Sequence, residues 1–96
     1  MQLEYSLNEA MNGLVVKGAT IDGEVAIPRT AEYEGIIYSL REIAGEAFMS
    51  CYRLSKVFIP DSVVKIGQSA FQNCSGLTEI AIPESVTVIG RGAFYN

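Results

Sequence analysis

The chain is 96 residues long, 49% hydrophobic and 19% charged, which suits one small folded domain and excludes a disordered segment. Its net charge is −4 and its seven Lys and Arg residues are scattered, so neither nucleic acid nor an anionic membrane is an expected partner. No apolar run is long enough to span a membrane, and no signal sequence opens the chain, so we expect no membrane insertion.

Residues 3–18 are predicted to form a β-hairpin. Apolar and polar residues alternate over Leu3–Leu7, as in a half-buried strand, and a β-branched run returns at 14–16. We expect the turn at Asn12 and Gly13, because both residue types tolerate positive φ.

The next segment is predicted to hold one strand and a second hairpin. After a turn at Asp22 and Gly23, a strand over 24–27 stops at Pro28, since proline has no N–H for a sheet ladder. The stretch that follows, before Ser39, suits a small hairpin that turns at Glu34-Gly35.

The C-terminal third contains one pattern twice. IPDSVVKIGQSAFQNC begins at Ile59, and IPESVTVIGRGAFYN begins at Ile82, 23 residues later. A weaker copy precedes them, with Ala47 and Phe48 standing 23 residues before Ala70 and Phe71 of the copy that begins at Ile59. A fixed period of this length is typical of a solenoid.

We therefore predict a mainly β fold built from 23-residue coils. Each coil should contain two short strands, parallel to those of its neighbours, and a single helical or 3₁₀ turn at the Ala-Phe pair. Gly67 and Gly90 should let the backbone leave the first strand of their coils. The second strand should turn three apolar side chains inward in each of two coils: Leu54, Val57 and Ile59, then Leu77, Ile80 and Ile82.

Stacking of the coils predicts one aromatic column formed by Phe48, Phe71 and Phe94. The sequence stops just after the third Ala-Phe pair, so Ile89 and its neighbours should be covered on one side only. We expect a single domain, 1–96, in which 1–38 form a hairpin cap with a stretched first repeat and 39–96 form the coils, the last incomplete. The open C-terminal coil indicates either a fragment of a longer array or an end that a second molecule closes, and the second alternative predicts self-association.

The repeated motif I-P-x-S-V-x-x-I-G-x-x-A-F-x-N-C resembles the BspA-like leucine-rich repeats of bacterial cell-surface proteins. The resemblance covers 25–96 well and 3–24 loosely, and it departs from the usual pattern at Tyr52 and Arg53. It implies a right-handed leucine-rich-repeat solenoid, a location outside the cell or on its surface, and a role in adhesion or protein–protein contact. It implies no catalytic residue and no cofactor.

Cys51 and Cys74 occupy equivalent places in adjacent coils. A disulfide lies within the allowed backbone distance, but side chains in parallel register approach each other poorly, so buried thiols are favoured. The sequence has no His, which makes two cysteines a poor metal site and leaves no evident base for catalysis. Asp22 and Glu24 are two carboxylates beside a turn, too few for a calcium site.

One face of the second sheet is the candidate binding surface. Its outward positions align as three rows: Gly23, Ser55 and Thr78; Glu24, Lys56 and Glu79; Ala26, Phe58 and Ala81. The middle row is an alternating charge ladder, which fits either cross-strand pairing on a solvated face or a binding surface. Phe58 is a large aromatic residue at an outward position, so it is either an interface anchor or packed against Tyr33.

Three hypotheses follow for the function. The first is a non-catalytic adhesion or interaction module of an exported protein, which binds a protein or a surface glycan through this face. The second is a purely structural capping segment of a longer array. The third is a small cytoplasmic enzyme or its regulator, which the absence of an evident catalytic group disfavours.

Overall fold

The structure, a computed structural model, describes residues 3–18 and 22–95, and this part of the chain forms nine strands and no helix. In chain order the strands are β1 (Glu4–Leu7), β2 (Leu14–Gly18), β3 (Gly23–Ala26), β4 (Thr30–Tyr33), β5 (Ile36–Ile43), β6 (Leu54–Phe58), β7 (Lys65–Ile66), β8 (Glu79–Ala81) and β9 (Val88–Ile89).

Two sheets build the solenoid, and the strands that successive coils contribute to them pair in parallel. The larger has the order β1-β2-β5-β7-β9, and the smaller has the order β3-β6-β8. The coils that contain Phe48 and Phe71 each contribute one strand to each sheet, and within residues 22–95 the coil that contains Phe94 contributes β9 to the larger sheet alone. Ile43, Ile66 and Ile89 lie opposite one another, 23 residues apart along the chain. The prediction of a mainly β solenoid with this period is therefore confirmed.

The N-terminal hairpin exists, but its turn is not where the sequence indicated. Strand β1 pairs antiparallel with β2, and residues 8–13 connect them. The amide N–H of Asn12 donates to the side-chain oxygen of Asn8 at 3.1 Å, and the residue with positive φ is Met11, at 59°. The prediction of a turn at Asn12 and Gly13 was wrong, because the Asn8 side chain organises a longer loop. Strand β2 also pairs in parallel with β5, so it is itself a rung of the solenoid.

The second hairpin turns at the predicted place. Strand β4 pairs antiparallel with the first half of β5, with Tyr33 opposite Ile36. Glu34 and Gly35 between them both have positive φ, 52° and 84°, as a two-residue turn matching the strand twist requires. The hairpin extends β5 beyond the coil, which explains why the repeat is stretched here.

The core is a continuous column of apolar side chains between the two sheets. The rings of Phe48 and Phe71 stack with centroids 5.1 Å apart, and those of Phe71 and Phe94 with centroids 5.3 Å apart, both nearly parallel. The predicted aromatic column is confirmed, and its spacing is close to the separation of neighbouring strands.

The segment around each Ala-Phe pair is a series of β-turns, which corrects the prediction of a helical turn. In the first coil every second N–H donates to the carbonyl three residues earlier: those of Ala47, Met49 and Cys51. The N–H groups between them donate to carbonyls of the next coil: those of Glu46, Phe48 and Ser50. Glu46 and Ser50 both have φ of 63°, and residues in this left-handed region cannot continue a right-handed helix.

Gly67 and Gly90 are required by close stacking of the coils. A Cβ atom on Gly67 would collide with the backbone nitrogen of Gly45 and lie 2.8 Å from the carbonyl carbon of Ala44. A Cβ atom on Gly90 would meet the backbone of Gly67 and Gln68 in the same way. The two glycines directly follow the ends of β7 and β9, where the sequence predicts that the backbone leaves the strand. Neither has positive φ, so close stacking and not a left-handed backbone requires glycine there.

Candidate binding surface and C-terminal groove

The smaller sheet has one buried face and one solvent-facing face, as alternation along its strands requires. Val25 and Val57 are buried in the core, and Ile80 packs against it. The residues on either side of each of them face outward: Glu24 and Ala26, Lys56 and Phe58, Glu79 and Ala81. We call this solvent-facing surface of β3, β6 and β8 the outer face.

The charge ladder on the outer face forms as a row of side chains in register. The Nζ atom of Lys56 lies 3.6 Å from Oε1 of Glu79 and 4.0 Å from Oε2 of Glu24. All three side chains are substantially exposed, so each ion pair stabilises the fold by at most about 1 kcal/mol. The ladder contributes little stability to the fold. It does give the outer face a fixed order of charges, negative-positive-negative.

Phe58 stands beside the ladder with its side chain 49% exposed. Its register partners on the two neighbouring strands are Ala26 and Ala81, both exposed, so the ring projects from a row of small residues. A half-exposed aromatic ring between alanines is an accessible apolar site, because nothing of comparable size stands next to it in the row.

The Thr78 hydroxyl of the predicted surface already bonds to the backbone of the neighbouring strand. The Thr78 hydroxyl donates to the backbone carbonyl of Ser55 at 3.2 Å, and the Thr78 N–H donates to the same oxygen at 2.9 Å. The register of this row also differs from the prediction: Gly23 pairs with Leu54 instead of Ser55, because a shift occurs between Gly23 and Glu24.

A groove of about 340 Å³ lies at the C-terminal end, beside β8. Apolar side chains line its interior: Phe71, Leu77, Ile80 and Phe94. Glu79 stands at the same groove, and so links it to the charge ladder. In the sequence, the feature that points to this groove is the 23-residue period. It makes Leu77 and Ile80 the counterparts of Leu54 and Val57, which are fully buried.

The exposure of the third coil agrees with the predicted open end. Ile66 in the second coil is completely buried, whereas its counterpart Ile89 is 50% exposed. Ile82 was predicted to point inward, but it too is exposed, because no further coil packs on that side within residues 22–95.

Cys51 and Cys74 are buried and are not joined by a disulfide. The Cys74 thiol donates to the backbone carbonyl of Phe48 at 3.0 Å. Burial raises the pKa of the Cys74 thiol, and this outweighs the opposing effect of a backbone hydrogen bond from Cys51. A thiol whose ionisation is disfavoured is a poor nucleophile, so this cysteine fits the core and not a reactive site.

Residues 3–18 and 22–95 contain no cluster of three or more His, Cys, Asp or Glu residues arranged to hold a metal ion. No helix in the same residues has the length and apolar composition needed to cross a bilayer.

Comparison with solved structures shows close likeness to three bacterial leucine-rich repeat proteins. A leucine-rich repeat protein of T. pallidum has 31% identity and a TM-score of 0.86 over 97% of this chain and 42% of its own. One from Bacteroides ovatus has 33% identity and a TM-score of 0.89 over 98% of this chain and 25% of its own. A leucine-rich cell surface protein of Faecalibacterium prausnitzii has 32% identity and a TM-score of 0.78, over 94% and 25%.

The chain thus spans less than half the length of each of these proteins. No curated protein matches it. A family model described as "BspA type Leucine rich repeat region (6 copies)" matches residues 35–96, which is more than half of the sequence. The period, the stacked phenylalanines and these matches agree, and the chain belongs to the BspA-type leucine-rich repeat family.

Proposed function

We propose that this chain is a non-catalytic adhesion module of an exported bacterial protein, and that it binds a protein or a surface glycan through the outer face. The observation that carries the proposal is the half-exposed Phe58 ring beside an ordered charge ladder. Aromatic residues are enriched among the anchors of protein interfaces, and an ordered row of charges can select a partner. Phe58 is the anchor, while Glu24, Lys56 and Glu79 set the register of the partner, and Ser55 and Thr78 border the contact.

The test combines binding measurements with two matched variants. The double variant Phe58→Ala, Lys56→Glu and the control Ile37→Ala, an exposed residue of the other sheet, are compared with the original chain. Each is immobilised and exposed to a panel of purified extracellular-matrix proteins and glycans, and circular dichroism verifies the fold. We expect the double variant alone to lose binding; unchanged capture by it would remove the outer face from consideration.

The location is a separate part of the proposal. The F. prausnitzii protein to which the chain is similar is a cell surface protein, and we propose the same compartment here. Antibody labelling of intact cells that produce the full-length protein tests this. Labelling only after lysis would favour the cytoplasmic alternative.

Self-association through the C-terminal end is a second candidate role. Val88 and Ile89 form β9, the last strand of the larger sheet among residues 22–95, and are both about half exposed, so pairing two such edges would bury apolar surface. Sedimentation velocity at several protein concentrations should show a dimer that Ile89→Lys abolishes. A monomer at every concentration would contradict this role.

A further inference from the structure

Strand β4 has a free edge. It pairs antiparallel with the first half of β5, and among residues 3–18 and 22–95 no second strand pairs with it. The larger sheet runs from β1 to β9 on a path that leaves β4 aside, so this edge belongs to an internal hairpin. Proteins often protect an edge strand with Lys, Pro or a β-bulge, and β4, with the sequence TAEY and a regular register, has none of these.

The hydrogen bonds of the hairpin show which backbone groups face the free edge. The N–H of Leu40 donates to the carbonyl of Arg29 at 2.8 Å, so these two residues form a hydrogen-bonded pair. Hydrogen-bonded and non-hydrogen-bonded pairs alternate along an antiparallel ladder. Thr30 and Glu32 are therefore in non-hydrogen-bonded pairs with β5, and their N–H and C=O groups point away from it toward the free edge.

A second copy of the chain can pair with this edge about a two-fold axis, and chemistry selects the register. A register with Thr30 opposite itself sets Glu32 against Pro28, which has no N–H to donate. A register with Glu32 opposite itself sets two carboxylates against each other, which is destabilising. The register between them places Thr30 opposite Glu32 of the second copy. It satisfies every N–H and C=O group of both residues and brings no like charges directly opposite each other.

The side chains suit the same register. It places Ala31 on the two-fold axis, opposite itself in a non-hydrogen-bonded pair, where Cα atoms approach to about 4.5 Å and a small side chain fits. It also places Arg29 opposite Tyr33 of the second copy, so that a cation and an aromatic ring become neighbours. The Arg29 side chain is already directed by an exposed ion pair with Asp61, at 2.7 Å.

We propose that the free edge of β4 is a docking site for a second copy of this chain, in which two hairpins join into one antiparallel sheet through Thr30, Ala31 and Glu32. The contact is short, so the association is weak and needs a high local concentration. It uses a different edge from the self-association through β9, and it does not depend on ligand binding at the outer face.

The test is disulfide cross-linking of the whole 96-residue chain. Two copies of Ala31→Cys in this register have Cα atoms within the range that a disulfide spans. Two copies of Thr30→Cys have Cα atoms about 8 Å apart, which is too far. With oxidised glutathione as the oxidant, we expect Ala31→Cys to form a linked dimer at least about tenfold faster than Thr30→Cys. Random collision predicts the opposite order, because Thr30 is the more exposed residue.

Three further substitutions, each made in the Ala31→Cys chain, identify the edge that is used. Glu32→Pro removes an N–H that faces the free edge and leaves the bonds between β4 and β5 in place, so it should abolish the cross-link. Glu32→Ala keeps that N–H and should keep the cross-link. Ile89→Lys should also keep it, which separates this contact from pairing through β9.

Two controls accompany these variants. Circular dichroism verifies the fold of each, and the original chain, whose cysteines are buried, gives the background rate of cross-linking. Equal rates for Ala31→Cys and Thr30→Cys, or a cross-link that survives Glu32→Pro, would overturn the proposal. Ala31→Cys chains that stay monomeric at every concentration would overturn it as well.

Discussion

Phe71 has an aromatic ring stacked on each side of its own, whereas Phe94, among the residues that the structure describes, has one on one side only. Replacing Phe71 by Ala opens a cavity in the middle of the column, which the neighbouring coils cannot close because hydrogen bonds between their strands fix their separation. We expect Phe71→Ala to reduce the free energy of unfolding by ~3–5 kcal/mol. Urea denaturation followed by circular dichroism measures this loss.

The matched control is Phe94→Ala. Its ring is only partly buried and lines the groove, so its removal should cost less, about 1–2 kcal/mol. Equal losses for the two variants would contradict the view that stacking on both sides gives Phe71 its importance.

Gly67 tests how closely the coils approach. The variant Gly67→Ala forces a Cβ atom against the backbone of Ala44 and Gly45, and backbone atoms cannot rotate away as a side chain can. We expect the free energy of unfolding to fall by about 1–3 kcal/mol, measured by thermal unfolding. At the equivalent position of the first coil, the reverse change Ala44→Gly should lower the free energy of unfolding by no more than about 1 kcal/mol. A neutral Gly67→Ala variant would show that the coils have room to separate.

The hairpin of β4 and β5 is an element that the solenoid can do without. Its ends lie together, since the N–H of Leu40 donates to the carbonyl of Arg29 at 2.8 Å. Deleting residues 30–38 joins Arg29 to Ser39 and restores the Pro-x-Ser spacing of the later coils.

We expect the deleted chain to fold, with a loss of about 1–3 kcal/mol, because Tyr33 and Tyr38 pack partly against the core. Thermal unfolding followed by circular dichroism should still show one cooperative transition at a lower temperature. A chain without a cooperative transition would mean that the hairpin is part of the core.

The position of a structural element could be predicted from the sequence where neighbouring residues alone determine it. The turn at Glu34-Gly35 was predicted correctly, because two adjacent residues supply the left-handed backbone. The N-terminal turn was not, because the bond from the Asn12 N–H to the Asn8 side chain decides it. The prediction of a helical turn was wrong for a related reason. Hydrogen bonds to the next coil compete with those inside the coil, and the sequence of a single repeat does not show the bonds between coils.

For the candidate sites too, the sequence predicted what depends on local spacing and not what depends on neighbouring coils. Alternation along the strands predicted the outward positions of Lys56 and Phe58, since it depends only on spacing. The groove could not be read from sequence in this way, because its volume depends on which strands have neighbours.

At the scale of the whole molecule, stability should fall from the second coil toward the C-terminal end. In a stacked array each coil is stabilised by its immediate neighbours, and the third coil has one neighbour among residues 22–95. We expect amides of residues 84–95 to exchange with deuterium faster than their counterparts in 61–72, because local opening of the last coil needs less free energy.

Hydrogen exchange followed by mass spectrometry measures this gradient. The two segments have closely similar sequences, so the comparison contains its own control for intrinsic exchange rates. Identical protection in both segments would mean that the array opens only as a unit.

Because the hydrogen bonds around the Ala-Phe pairs alternate, whether a residue number is odd or even decides where its N–H group donates. Between residues 46 and 51, even-numbered N–H groups donate to the following coil and odd-numbered ones donate within their own. Inserting or deleting one residue there would exchange the two sets, so that every downstream donor in the turn faces the wrong acceptor. Changes of repeat length are therefore tolerable outside these turns, and the nine extra residues of the first repeat lie outside them, between Pro28 and Ser39.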